Sequence, residues 1–125
     1  MAEPTVRLAP AAPKYTFDNG PMLVELRTGG KGLSHLGGGI IRFDDGGKTE
    51  PWRLPYEEIV GVIEGELVLH ADGVDPVVVP AGEMATLPKG ATVVYEGAPG
   101  TRAFYALTPS DWFKQYPHGL PDTGV

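Results

Sequence analysis

The sequence predicts an all-β fold of short strands, on three observations. Alternate-residue patterning dominates, short apolar runs recur at close spacing, and turn formers separate the runs. With 18 Gly and 13 Pro among 125 residues, the chain has no room for a helical bundle, while its 42% hydrophobic content supplies one core. Eight or more short strands then fit a barrel or sandwich.

Taken in order, residues 1–13 read as an N-terminal arm, because Pro4, Pro10 and Pro13 interrupt any ladder and leave at most a short edge strand at Thr5 to Leu8. Residues 14–125 read as a single domain. Lys14 to Asp18 and Met22 to Arg27 are expected strands around the Asn19-Gly20-Pro21 turn. Gly37-Gly38-Gly39 lacks the GxxxxGK[ST] pattern of a phosphate loop and leads into the strand-like Ile40 to Phe43, so it marks a bulge or a close strand approach. A turn at Asp44 to Gly47 precedes a strand at Thr49 to Leu54.

The central stretch runs from Trp52 to Leu69. Glu58, Val60, Val62 and Glu64 alternate with Glu57, Ile59, Gly61 and Ile63, which predicts a strand covered on both faces except near its ends. Gly65 then suggests a hairpin into Glu66 to His70. Val77 to Val79, Met84 to Leu87, Ala91 to Tyr95 and Arg102 to Leu107 complete the strands. At the end, Thr108 as a cap, Pro109 in the first turn and Asp111 near the positive end predict a short C-terminal helix. Trp112, Phe113 and Tyr116 would lie on it, and Pro117 and Gly119 would stop it.

A net charge of -6, with only ten scattered Lys and Arg, gives no footprint for nucleic-acid binding. The absence of Cys removes disulfides, thiolate nucleophiles and Cys-ligated zinc. No membrane-length apolar run is present, and residues 1–13 lack a basic region and a signal-length apolar core. These features predict a cytoplasmic protein without a membrane partner.

Trp52 to Gly65 and Gly82-Glu83-Met84-Ala85-Thr86-Leu87-Pro88-Lys89-Gly90 resemble the two motifs of the cupin superfamily, over roughly residues 35 to 108. That resemblance implies a cupin jelly-roll antiparallel β-barrel, commonly a homodimer. The first motif normally carries two histidines two residues apart and then a glutamate, and the second carries another histidine. Glu58 stands at the glutamate position, whereas Trp52, Leu54 and Val93 replace the histidines with groups that offer no lone pair for a metal. The resemblance therefore implies a barrel with no metal and no other cofactor.

Within the superfamily, the chain is similar to the ethanolamine-utilisation protein Q (EutQ) group. The similarity lies in Trp52 to Ile59, Val62 to Leu67, Leu87 to Gly90 and Tyr105 to Trp112. Members of this group are linked to amine catabolism in bacterial microcompartments, and an acetate-kinase activity is attributed to some. A kinase needs a basic phosphate-binding patch, which this acidic chain does not advertise.

Glu58 is the candidate catalytic residue. Facing inward among apolar groups, it is either tuned for proton transfer or a structural carboxylate bonded to Tyr56 or Tyr95. Tyr56, Tyr95 and Tyr105 are substrate-binding candidates that can hydrogen-bond or stack, and Trp52 and Leu54 would exclude water. His35, the one histidine near an expected inner strand, is a substrate-binding candidate or a loop residue. Paired with Glu58, it also gives the alternative of an atypical metal enzyme. Glu57 and Glu58 point to opposite faces and form no catalytic pair. Glu50 reads as a solvated carboxylate.

The sequence thus favours a homodimer that binds a small polar organic molecule in a metal-free barrel, with isomerase or lyase chemistry through Glu58. The alternative is a non-catalytic binding or assembly protein of amine catabolism.

Overall fold

The alternating strands build two facing antiparallel sheets in the computed structural model, which describes residues 5–9, 15–28 and 32–112. In spatial order, the first sheet contains β1 (Tyr15–Asn19), β2 (Met22–Leu26), β3 (Gly37–Phe43), β11 (Thr101–Thr108), β6 (Glu57–Glu64) and β9 (Met84–Leu87). The second contains β4 (Gly47–Lys48), β10 (Thr92–Gly97), β7 (Glu66–Ala71) and β8 (Val77–Pro80), with β5 (Trp52–Arg53) also paired to β10. Inward residues of both sheets form one core, which includes Phe43, Val60, Leu67, Val79, Tyr95 and Ala103.

The all-β expectation agrees with this arrangement, but the closed barrel does not. Among the described residues, the first sheet ends at β1 and β9, and the second ends at β8 and at β4 and β5, so neither closes on itself. The reason lies at the corners. The chain passes from β6 to β7 through Gly65 and from β8 to β9 through Gly82, both at positive φ, and each passage changes sheet.

The hairpin expected at Gly65 is therefore also corrected. β6 lies between β11 and β9, and β7 lies between β10 and β8. Thr101 fixes this corner, because its hydroxyl accepts from the Glu66 N–H (3.1 Å) and donates to the Glu66 carbonyl (3.0 Å). A Cβ at Gly65 would collide with that hydroxyl.

The expected strand at Thr49 to Leu54 is split into β4 and β5. Between them, the Tyr95 N–H donates to the Thr49 side-chain oxygen (2.9 Å), while the Thr49 N–H donates to the Tyr95 carbonyl (2.9 Å). A side chain replaces one backbone partner just before Pro51, which has no N–H to offer. Residues 5–9 form no strand, and Val6 and Leu8 are exposed.

The short C-terminal helix is absent from the described residues. Thr108 is still in β11, paired with Glu57, rather than capping a helix. The Ser110 N–H donates to the His35 carbonyl (2.8 Å), and a single turn brings the Trp112 N–H to the Pro109 carbonyl (3.2 Å). Phe113, Tyr116, Pro117 and Gly119 lie outside the described residues.

β6 also departs from the two-sided burial its sequence suggested. Glu58, Val60 and Val62 are buried inward, but Ile59 and Ile63 remain 39% and 46% exposed on the outer face. An apolar period-two strand is consistent with two covered faces, yet here only the inner face has a layer packed on it among the described residues.

Candidate functional site

The inner face of β6 carries Glu58, and the register sets what surrounds it. Leu107 of β11 and Leu87 of β9 flank it in the ladder. Tyr95 approaches from β10 across the interior, where its hydroxyl donates to Glu58 Oε1 at 2.7 Å. Both side chains are buried, so this hydrogen bond is shielded from water.

This environment penalises charge. Burial pushes the Glu58 carboxyl up to about 8, and the Tyr95 hydrogen bond only partly opposes the rise. At neutral pH the group is therefore mostly a neutral acid. Burial likewise raises the Tyr95 hydroxyl far above its ordinary range, reinforced by the Glu58 charge and then by Tyr56. Tyr105 rises for the same leading reason, with the charges of Glu58 and then Glu25 adding to it.

Beside Glu58 lies a cavity of about 20 Å³, lined by Val24, Leu26, Ile41, Trp52, Tyr56, Glu58, Tyr105, Leu107 and Trp112. That is room for about one water-sized group. Trp112 meets Trp52 edge-on with ring centroids 5.6 Å apart at 69°, and meets Tyr56 at 5.1 Å and 65°. The three rings form steep walls rather than a stack.

Tyr105 reaches past the cavity, donating its hydroxyl to the Glu25 carbonyl at 3.1 Å. Gly39 permits this contact, because a Cβ there would strike the Glu25 carbonyl oxygen and come within 2.9 Å of the Tyr105 hydroxyl. The glycine run thus serves a close strand approach, one of the two readings the sequence offered.

Of the candidate residues, the structure brings together Glu58, Tyr95, Tyr56, Tyr105 and Trp52. Leu54 is buried in the core but does not line the cavity. His35 lies in the exposed segment before β3 and outside the lining, linked to Ser110 only through its backbone carbonyl. Glu50 is exposed.

Sequence reasoning assigned no ligand role to Val24, Leu26, Ile41 or Leu107, and placed Trp112 on the expected C-terminal helix. For the strand residues, the inward period of Val24-Leu26 and of Tyr105-Leu107 was the available signal. Glu25 was also missed. It is a buried carboxylate on the outer face of β2, held by Arg27 (2.7 Å) and Arg42 (3.2 Å).

The metal that a cupin fold implies does not fit these donors. At the three histidine positions, Trp52, Leu54 and Val93 present indole or hydrocarbon, which leaves Glu58 alone. Among the described residues, no group of three or more His, Asp or Glu is placed to share an ion. Nor is any helix among them long and apolar enough to cross a membrane.

Comparison with known proteins agrees with the fold and the family resemblance. The acetate kinase EutQ of Escherichia coli K12 is 30% identical over 90 residues, which is 72% of this chain and 37% of that protein. The chain thus spans little more than a third of that relative. The Clostridium difficile EutQ structure superposes with a TM-score of 0.66 at 27% identity, covering 73% of this chain and 70% of that one. An RmlC-like cupin from Shewanella frigidimarina, 22% identical with a TM-score of 0.61 over 76% of this chain and 83% of its own, shares the fold. The family model for ethanolamine utilisation protein EutQ matches residues 6–114, and the chain belongs to that family within the cupin superfamily.

Proposed function

We propose that this protein binds a small polar organic molecule, one water-sized group of which enters the inter-sheet cavity, and moves a proton through Glu58, as an isomerase or lyase. The observation that carries the reading is a buried carboxyl, hydrogen-bonded by Tyr95, in the wall of a cavity. A carboxyl raised to about 8 can both donate and accept near neutral pH, where general acid–base catalysis is most effective. Tyr56 and Tyr105 orient the guest, Tyr95 steadies the carboxyl, and Trp52 with Trp112 excludes water. Among the described residues, neither Lys nor Arg lines the cavity, which favours proton transfer over phosphoryl transfer at this position. The acetate kinase activity named for the relatives belongs to proteins of which this chain matches a third to a half.

The test is proton exchange. Small hydroxy acids, amino alcohols and carbonyl compounds are incubated with the protein in deuterium oxide, and carbon-bound protons are followed by NMR. Turnover or deuterium incorporation is expected for one class, falling at least ~100-fold in Glu58→Gln. A ligand that occupies the cavity without either change would identify a binding protein instead.

One observation favours an assembly role as a second reading. Phe104, Ile59, Ile63 and Met84 are exposed together on the outer face of β11, β6 and β9, with the Phe104–Gly61–Met84 row in register. The proposed occupant is a second copy of the chain, since an isologous pairing covers this uncharged centre with itself. Sedimentation is expected to give a homodimer for the wild type and a monomer for Phe104→Arg. A wild-type monomer at high micromolar concentration would remove this reading.

A further inference from the structure

We infer that the guest recognised by this cavity carries a small organic ammonium head, held between Glu58 and the rings of Trp52, Tyr56, Tyr105 and Trp112. The inference rests on the binding function proposed above and adds the charge of the ligand. Four of the nine lining residues are aromatic, one is a carboxylic acid, and the other four are aliphatic. Aromatic faces attract cations through their quadrupoles and have no equivalent attraction for an anion. Among the described residues of the lining, a carboxylate or phosphate ligand would find no Lys or Arg to balance its charge, whereas Glu58 can ionise to balance a cation. The cavity of about 20 Å³ admits a head the size of water, which suits a primary ammonium and is too small for a quaternary one.

The proton balance follows from the same groups. In the free protein Glu58 holds its proton at neutral pH, because burial opposes the charge. When an ammonium ion enters from water, the carboxyl releases that proton to solvent, and the buried pair is neutral overall. Among the described residues, the titratable groups facing Glu58 are Tyr95 from β10, Tyr105 from β11 and Tyr56 from the segment preceding β6. Among the described residues, no charged side chain contributes to its shift. Glu58 alone therefore sets the pH dependence of binding below pH 9.

Ethylammonium chloride is the probe, with ethanol as an uncharged control of similar size. Calorimetry in buffers of different ionisation enthalpy measures affinity and proton release together. Affinity is expected to rise about tenfold from pH 6 to 7 and about fivefold from 7 to 8, with about 0.9 proton released per site at pH 7. Glu58→Gln, which is isosteric with the neutral acid, is expected to lose at least tenfold in affinity together with the pH dependence. Trp52→Leu is expected to weaken binding several-fold while keeping the pH dependence.

Saturable ethylammonium binding that is independent of pH, or unchanged in Glu58→Gln, overturns the inference. So does ethanol binding as tightly as ethylammonium. If neutral metabolites shift the Trp52 and Trp112 indole resonances while ethylammonium does not, the ammonium assignment fails and the cavity function stands. If no small molecule shifts them, both fail.

Discussion

Glu25 and Glu58 are both 4% exposed, but they meet opposite surroundings. Glu25 lies on the outer face of the first sheet, where Arg27 is two residues along the chain and Arg42 is diagonal to it in the β2–β3 ladder. Two guanidinium groups repay the loss of water around its carboxylate. Glu58 lies on the inner face and receives one tyrosine hydroxyl. A hydroxyl cannot replace the water lost by an anion, so the proton stays on. Burial alone thus says little about function. A compensated carboxylate ties strands together, whereas an uncompensated one beside a cavity is kept ready for a cation or a proton.

The largest expected effect is the pH dependence of stability. The folded Glu58 carboxyl titrates near 8, against 4.5 for an ordinary one. Below 4.5 both states hold the proton and the group makes no difference. Between 4.5 and 8 the unfolded chain releases a proton that the native state keeps, so stability falls as pH rises. The total is roughly 5 kcal/mol, levelling above pH 8. Denaturant titrations of wild type and Glu58→Gln across this range should diverge by that amount, with the variant the more stable at high pH. Parallel curves would remove the contrast between the two glutamates.

Glu25→Ala should cost about 2 to 3 kcal/mol at pH 7, since it removes the carboxylate that Arg27 and Arg42 share and leaves Arg42 only the longer contact to Asp44 (3.7 Å). Partial exposure of Arg27 and Arg42 keeps the loss below that of a fully buried pair. Chemical denaturation checks this, and a loss under about 0.5 kcal/mol would show that the ion pairs contribute little.

Tyr95→Phe sharpens the comparison with a smaller effect, about 1 kcal/mol for one hydrogen bond. Because that bond lowers the Glu58 pKa, its removal should move the midpoint of the stability curve upward. A downward movement would mean that another group sets the Glu58 environment.

Much of this arrangement was legible in the sequence. The inward period of Glu58-Val60-Val62 and the two glycine-bounded motifs gave most of the strands, the superfamily and the inward placement of Glu58. Sheet closure was not legible, because Gly65 and Gly82 mark turns without saying whether the next strand stays in the same sheet. The outer face of β6 was misread for a related reason, as Ile59 and Ile63 look buried in sequence whether or not a layer covers them. Glu25 escaped notice because its compensation depends on Arg42, whose approach is fixed by register across β2 and β3. The fate of Trp112 was hidden because Thr108 can cap a helix or extend a strand, and pairing with Glu57 selects the strand.

The most direct test is a carbon-13 NMR titration of the glutamate side-chain carboxyls in the folded protein, with Glu58 assigned by its disappearance in Glu58→Gln. The account predicts a Glu58 midpoint near 8, moved downward by ethylammonium. A midpoint in the ordinary carboxylate range near 4.5 would contradict it, because Glu58 would then be an ionised structural group already compensated by its surroundings.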